Sequence, residues 1–371
     1  MFWGKKTIWN PRTMLMNVGV LLLMGTGIAK ADFFFGEPVN LGPAINTSDN
    51  EQSPDISSDN LTLYFDSRRS VGYGYGDIWV TTRATTNDDW GEPINLGPPV
   101  NGPNSEQAPR TSADGLSLYF ASNRPGGSGD WDIWVATRET TDGSWGEPEN
   151  LGPTVNSPVL DHSPSISADG LSLFFGSTRS GGSGSADLWL TTRETIFDKW
   201  GAPVNLGPTV NSLANEGGIS ISADGRMLFF SSFLFGPARP GGYGNFDIWV
   251  ATRATVSDPW AAPVNLGPMV NSSSQDVSPD ISADGSTLYF SSNRPGGSGH
   301  RDLWQVSIDP IVDLNGDGIV DAADMCIIVD NWGTDDPLCD IGPTPFGDGI
   351  VDVQDLIVLS EHLFEEIPPV E

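Results

Sequence analysis

Basic residues, histidine and cysteine are scarce in this chain. Only 18 Lys and Arg stand against 48 Asp and Glu, a net charge of −30. A charge of that size repels nucleic acid and anionic lipid, so neither is expected as a partner, and it favours solubility and cation binding. The three histidines, His162, His300 and His362, are scattered, and the two cysteines, Cys326 and Cys339, stand near one end. That inventory makes neither a zinc centre nor a nucleophile paired with an imidazole base. Long apolar runs are also missing, with the exception of Met14 to Ile28. In their place come 44 Gly, 29 Pro and 13 Trp in 371 residues, a composition of many turns, few long helices and a large core. An all-β body is expected.

The one apolar run has a reading of its own. Lys5, Lys6 and Arg12 precede it and Ala29-Lys30-Ala31 follow it, the pattern of a secretory signal peptide over residues 1–31 with cleavage before Asp32. A membrane anchor is the alternative, but 15 residues are few for a bilayer span. The expected mature chain is secreted, periplasmic or held at the cell surface, with no membrane span after signal cleavage.

Self-similarity organises most of what remains. The element D-[IL]-W recurs at Asp77, Asp132, Asp187, Asp247 and Asp302, at spacings of 55, 55, 60 and 55 residues. Each copy carries a short strand, an Asp-Gly turn, an alternating strand such as "STLYFSS", a hairpin such as "NRPGGSG", a third strand such as "DIWVATR", and "PVNLG" as a fourth. Four antiparallel strands per repeat make a propeller blade. The fifth copy lacks its own "PVNLG", whereas an unattached "GEPVNLGPAIN" stands at Gly36 to Asn46. The expected fold is therefore a five-bladed β-propeller over 32–308, closed by an N-terminal strand that removes the exposed edges.

The octapeptide "SNRPGGSG", at Ser122 and again at Ser292, reads as a blade hairpin whose glycines take positive φ. A phosphate cradle would need a helix after the loop, and a strand follows instead. The recurrent Trp read as wedges between blades rather than sugar platforms. With these residues in view, "SPDISADGSTLYFSSNRPGGSGHRDLW" resembles the WD40-like repeat of the TolB class, over roughly residues 36 to 308. The resemblance implies an exported bacterial propeller that binds or scaffolds, and leaves its ligand open.

After Asp309-Pro310 the repeats stop. "VDLNGDGIVDAADMCIIVDNWG" places Asp313, Asn315, Asp317, Asp321 and Asp324 at positions 1, 3, 5, 9 and 12 of an EF-hand-type Ca2+ loop, with the Ile319 carbonyl at position 7. A solvated Asn/Asp-rich turn is the alternative. A second, degenerate copy aligns Asp348, Ile350, Asp352 and Asp355, with Thr344 and Phe346 where ligands are due, and Asp340 could reach in from an enlarged loop. Asp at position 12 and the helices that follow resemble the dockerin module, which implies a small α-helical dockerin-like domain over 309–371, Ca2+ as cofactor and a cohesin-type partner. In an exported chain the two cysteines are expected to form a disulfide.

Candidate residues on the propeller are the acids that open each first strand, Glu51, Glu106, Asp161, Glu216 and Asp276. They form a possible ligand site at the channel mouth. An Asn recurs five residues before each, and the hairpin residues Arg69, Arg124, Arg179, Arg239 and Arg294 should share their face and pair with them. A glycosidase needs two carboxylates in unlike environments. Near-identical repeats set no such pair apart, so the expectation is a non-catalytic binding or scaffolding module with a protein or glycan ligand, and the alternative is a polysaccharide-acting hydrolase.

Overall fold

A computed structural model describes residues 19–20, 33–233, 239–244, 246–310, 312–334, 336, 339–342 and 350–364. Most of the expected signal peptide lies outside the described residues, as does Asp348. Five antiparallel sheets make up the bulk of the molecule. The first blade is built from Glu51–Ile56, Thr62–Ser67, Asp77–Thr82 and Ile94–Asn95. The next three repeat that order, with first strands Glu106–Thr111, Asp161–Ile166 and Asn215–Ile221. The fifth begins at Asp276–Ile281, and the five first strands pack against one another around a common axis.

Closure follows the expected route. Val39–Asn40 pairs with the third strand of the fifth blade in the register Trp304 with Asn40 and Gln305 with Val39. Trp79 with Asn95 and Trp249 with Asn265 show the same register inside single repeats. The fourth strands are shorter than "PVNLG" suggests, two residues each. The fifth blade also gains a pairing that the repeats do not announce. Its third strand runs on from Asp302 to Pro310, and Phe33–Phe35 pairs with residues 308–310. Phe35 is buried there among Val306, Ile308 and Phe290, which explains the extension.

Hydrophobic clusters sit between blades. Tyr64 and Ile78 of the first blade meet Leu118, Phe120 and Trp134 of the second, and Tyr289 and Leu303 of the fifth meet Phe65 and Trp79 of the first. The Trp of D-[IL]-W is thus a wedge at each seam, as its apolar bulk requires, and all five are 5–7% exposed. The Asp-Gly turns place Gly115, Gly170, Gly225 and Gly285 at φ of 69–71°, and Asn60 takes that role in the first blade at 60°.

The octapeptide is a hairpin held from beneath. The carboxylate of Asp302 accepts the N–H groups of Ser298 and Gly299, and Asp187 and Asp247 do the same in their blades. A Cβ on Gly297 would lie 2.5 Å from Asp302 Oδ2, and one on Gly299 would lie 2.2 Å from the Asp49 carbonyl of the next blade. Glycine is needed at both positions, one to admit the carboxylate and one to let blades touch. The carboxylate takes the N–H groups of Ser298 and Gly299, so an internal anion holds the loop where a phosphate would sit.

Beyond the propeller, Ala322–Asp330 and Val353–Glu361 are short helices. Each starts with a reciprocal capping pair, Asp321 with Asp324 and Asp352 with Asp355. Val312, Val320, Ile328, Cys339, Val351 and Leu359 gather in a small core of their own.

Candidate functional site

The five repeated acids are fully buried. Each accepts a hydrogen bond from the N–H four residues earlier in its own leading loop: Thr47 to Glu51, Gly102 to Glu106, Ser157 to Asp161, Ser212 to Glu216 and Ser272 to Asp276. The hairpin arginines pair with them at 2.6–3.2 Å. Those guanidiniums also donate to the carbonyls of Ile45 and Val155 and lie over the seam Trp, Arg69 at 4.6 Å from the Trp79 ring. The Asn five residues upstream acts across the seam: Asn101 accepts from the Ile78 N–H and donates to the Ile78 carbonyl. These groups answer one another, and their geometry fastens each blade to its leading loop.

Because the fold consumes what repeats, chemistry particular to this chain must lie where the copies differ. The residue four places after each repeated acid is such a place: Asp55, Arg110, Ser165, Ser220 and Asp280. All five are buried near the axis. The Asp55 carboxylate accepts from Thr111 N–H, that of Asp280 from Ile56 N–H, Ser165 Oγ from Ile221 N–H and Ser220 Oγ from Ile281 N–H, so each side chain ties its blade to the next. Arg110 cannot accept. It reaches instead across the axis, donating to Asp280 and to the Ile219 carbonyl, with Asp55 at 3.6 Å. Burial pushes the Asp55 carboxyl up to about 8 against the pull of Arg110, and burial raises Asp280 as well. Two carboxylates are therefore set apart from the rest, contrary to the expectation from near-identical repeats. Comparing the five copies column by column would have found them.

A bulge precedes this ring in every blade, with φ of 51–56° at Ser53, Ala108, Ser163, Gly218 and Ser278. The bulged N–H groups point to the neighbouring blade: Ser53 donates to Ser291 Oγ, Ala108 to the Asp66 carboxylate and Ser278 to Ser231 Oγ. Burial pushes Asp66 up to about 6. His162, one residue before the bulge, fills the space left by Gly176, whose Cβ would lie 2.8 Å from the ring. Burial pushes its pKa down to about 4, so the imidazole is neutral at physiological pH.

Above the ring, where blades five and one meet, opens a cavity of about 470 Å³. Asn50, Gln52, Arg68, Gln275, Asn293, His300 and Arg301 line it. Arg301 is its fixed centre: Nε donates to Gln275 Oε1 at 3.0 Å and a terminal N–H to Gln52 Oε1 at 2.6 Å, while the guanidinium lies 5.8 Å from the Phe246 ring. None of the lining residues is an acid.

In the C-terminal segment the Asp313 carboxylate accepts from Gly316, Asp317 and Gly318 N–H, which wraps the loop around it. Asp324, fully buried, accepts from Leu314, Asn315 and Asp321 N–H. Asp317 Oδ1 accepts from Ile319 N–H, and the Ile319 side chain is exposed. Among the described residues no three His, Cys, Asp or Glu converge as metal ligands. In the second copy Asp355 accepts from Gly342 and Asp352 N–H, Ile350 is exposed and Asp340 is half-buried.

The expected disulfide is absent. Cys339 is buried in the small core with Sγ toward the Ile327 carbonyl, whereas Cys326 lies on the exposed side of its helix, so the two thiols belong to opposite surroundings. Burial pushes the Cys339 thiol up to about 11, which keeps it protonated and unreactive. No helix among the described residues is long and apolar enough to cross a membrane.

No protein-family model matches this chain, and no curated protein is similar to it in sequence. Among solved structures, an α-L-arabinofuranosidase from Lactobacillus brevis is similar at 14% identity and a TM-score of 0.50, over 72% of this chain and 92% of that one. TolB from Acinetobacter baumannii is similar at 16% identity and a TM-score of 0.44, over 70% of this chain; the chain spans 54% of that TolB's length. A thermostable family-43 glycoside hydrolase is similar at 14% identity and a TM-score of 0.49, over 72% of this chain and 91% of that one. What is shared is the five-bladed propeller fold.

Proposed function

We propose that this chain is an exported, non-catalytic binding propeller whose ligand enters the mouth at the seam of blades five and one. One observation carries the reading. Repeated polar residues are engaged in the scaffold, whereas Arg68, Gln275, His300 and Arg301, which have no identical residue at the matching place in the other blades, converge on one open cavity. A site for glycoside hydrolysis needs two carboxylates flanking the scissile bond, and the cavity lining supplies none.

A polysaccharide-acting hydrolase is the second reading, favoured by Asp55, whose raised pKa is the protonated state that a general acid requires. Its 2% exposure and its engagement with Thr111 and Arg110 weigh against that role.

The C-terminal segment belongs to the same proposal as a dockerin-like Ca2+ unit that tethers the propeller to a cohesin-type protein partner in the periplasm, at the cell surface or outside. The residues that would hold the ion are Asp313, Asn315, Asp317, Ile319 through its carbonyl, Asp321 and Asp324, with Asp340, Asp348, Ile350, Asp352 and Asp355 for a second ion. The wrapped Asp313 supports it. The first-loop acids do not converge without the ion, so loading must draw them inward, and binding and ordering would be coupled.

The test is capture by the full chain from envelope and secreted fractions, with Ca2+ and with chelator, followed by assay of reducing ends released from polysaccharides. Capture without release of sugar supports the binding reading, and release of reducing ends abolished by Asp55→Asn overturns it. Partners lost on chelation belong to the C-terminal unit, and partners retained belong to the propeller.

A further inference from the structure

Arginine in this propeller almost always has a structural occupation. Five pair with the repeated acids. Arg83, Arg138, Arg193 and Arg253 lie 4.2–4.3 Å over Trp90, Trp145, Trp200 and Trp260, and Arg110 crosses the axis to Asp280. Arg68 and Arg301 are different. Where the first blade has Arg68, others have Asn123, Thr178 and Asn293; where the fifth has Arg301, others have Gly76, Trp131, Ala186 and Phe246. The repeat therefore does not need them, although Arg301 hydrogen-bonds Gln275 and Gln52 across the seam. Neither has a carboxylate within ion-pair reach among the described residues, although the chain carries 48 acids.

Two guanidiniums around one cavity repel each other: burial disfavours the charge on Arg301 first, the buried Asp66 offsets part of that from beyond ion-pair distance, and Arg68 disfavours it further. Two like charges that share one buried carboxylate beyond ion-pair distance are a cost that a bound anion would relieve. Arg301 is also preorganised: Gln52 and Gln275 fix its plane and leave N–H groups for a ligand. Around it stand amides, Asn50, Gln52, Gln275 and Asn293, which both donate and accept. The lining offers no apolar side chain, and so no pocket for the hydrophobic residue by which a peptide is usually anchored. A polyhydroxylated chain needs only alternating donors and acceptors.

From this juxtaposition we infer that the mouth between blades five and one binds an acidic saccharide, its oxyanion between Arg68 and Arg301 and its hydroxyls on the surrounding amides. The inference rests on the mouth being the binding site and names what it selects. Uronate carboxylates and sulfate esters share the chemistry, since both present a pair of anionic oxygens to a guanidinium fork.

Calorimetric titration of the full chain with hexagalacturonate, a hexasaccharide of κ-carrageenan, which is sulfated and has no uronate, cellohexaose and a peptide with a free C-terminal carboxylate separates the cases. Binding of hexagalacturonate or of the sulfated hexasaccharide, weakened by added salt, is expected, with no binding of cellohexaose; the stronger of the two acidic probes identifies the anion. Arg68→Gln, at an exposed residue with no side-chain partner among the described residues, should weaken binding about tenfold without altering melting. Arg301→Gln should abolish it, and its melting curve verifies that the variant is folded. If neither acidic hexasaccharide binds, or if Arg68→Gln leaves the affinity unchanged, the inference is overturned. Cellohexaose binding that is lost in Asn293→Ala would overturn it while sparing the mouth as a binding site. Preference for a peptide with a free C-terminal carboxylate over both acidic saccharides would do the same.

Discussion

Replacing Arg110 with Met tests the account of the central ring. The substitution keeps the aliphatic stem and removes the guanidinium that Asp280, Asp55 and the Ile219 carbonyl share. Breaking a buried ion pair by deleting one partner costs about 3–5 kcal/mol, because the other charge stays behind uncompensated. With an unfolding entropy of about 2.1 cal/mol/K per residue over a propeller of this size, that corresponds to a fall in Tm of roughly 5–9 °C. The pH dependence gives a sharper signature. Asp55 titrates at about 8 in the folded chain against 3.8 for the free group, so between those values the folded state holds a proton that the unfolded state has lost. Its contribution to stability is complete below about pH 4 and is lost as pH rises toward 8. Without Arg110 both carboxyls rise further, so the penalty should be large at pH 7.5 and much smaller at pH 5. Urea unfolding followed by tryptophan fluorescence at the two pH values measures it. Adding Asp55→Asn and Asp280→Asn should recover most of the loss. A penalty under about 1 kcal/mol, or one equal at both pH values, would refute the view of Arg110 as the counter-charge of a buried ring.

Three other outcomes follow from the scaffold. Deleting residues 36–46 removes the strand that pairs with Trp304 and Gln305 and exposes an edge, so the truncated protein should melt lower and aggregate by light scattering. Glu106→Gln weakens the hydrogen bonds from Gly102, Ser122 and Arg124 and should lower stability by about 1.5–3 kcal/mol while leaving ligand capture intact; loss of capture with unchanged melting would make that acid part of the binding site. Gly129→Ala puts a Cβ 2.4 Å from the Val159 carbonyl and should cost about 1–3 kcal/mol by prying blades two and three apart, read as earlier urea unfolding.

Blade number, strand order and closure were legible because they depend on residues that recur. Asp302 under its hairpin, Trp304 in its seam and Glu106 with Arg124 each have a counterpart at fixed spacing, so one copy explains the others. The central ring was not legible in the same way. Arg110 and Asp280 stand 170 residues apart and occupy one column of the repeat with different chemistry, so only the closed ring brings them together. Arg68 and Arg301 escaped for the same reason, since a search for what repeats passes over what does not. The pairing of Phe33–Phe35 with the end of the fifth blade had no sequence signal beyond three consecutive phenylalanines. The two cysteines suggested a disulfide through their even number in a chain expected to be exported, whereas their separation is set by which side of one short helix faces the small core.

Hydrogen exchange on the full chain, with and without the ligand recovered by capture, tests the central claim most directly. The account predicts added protection at residues 50–52, 68, 275 and 293–301, around the seam of blades five and one, with the corresponding segments of blades two and three unchanged. Protection confined to the outer fourth strands, or spread equally over all five mouths, would contradict it.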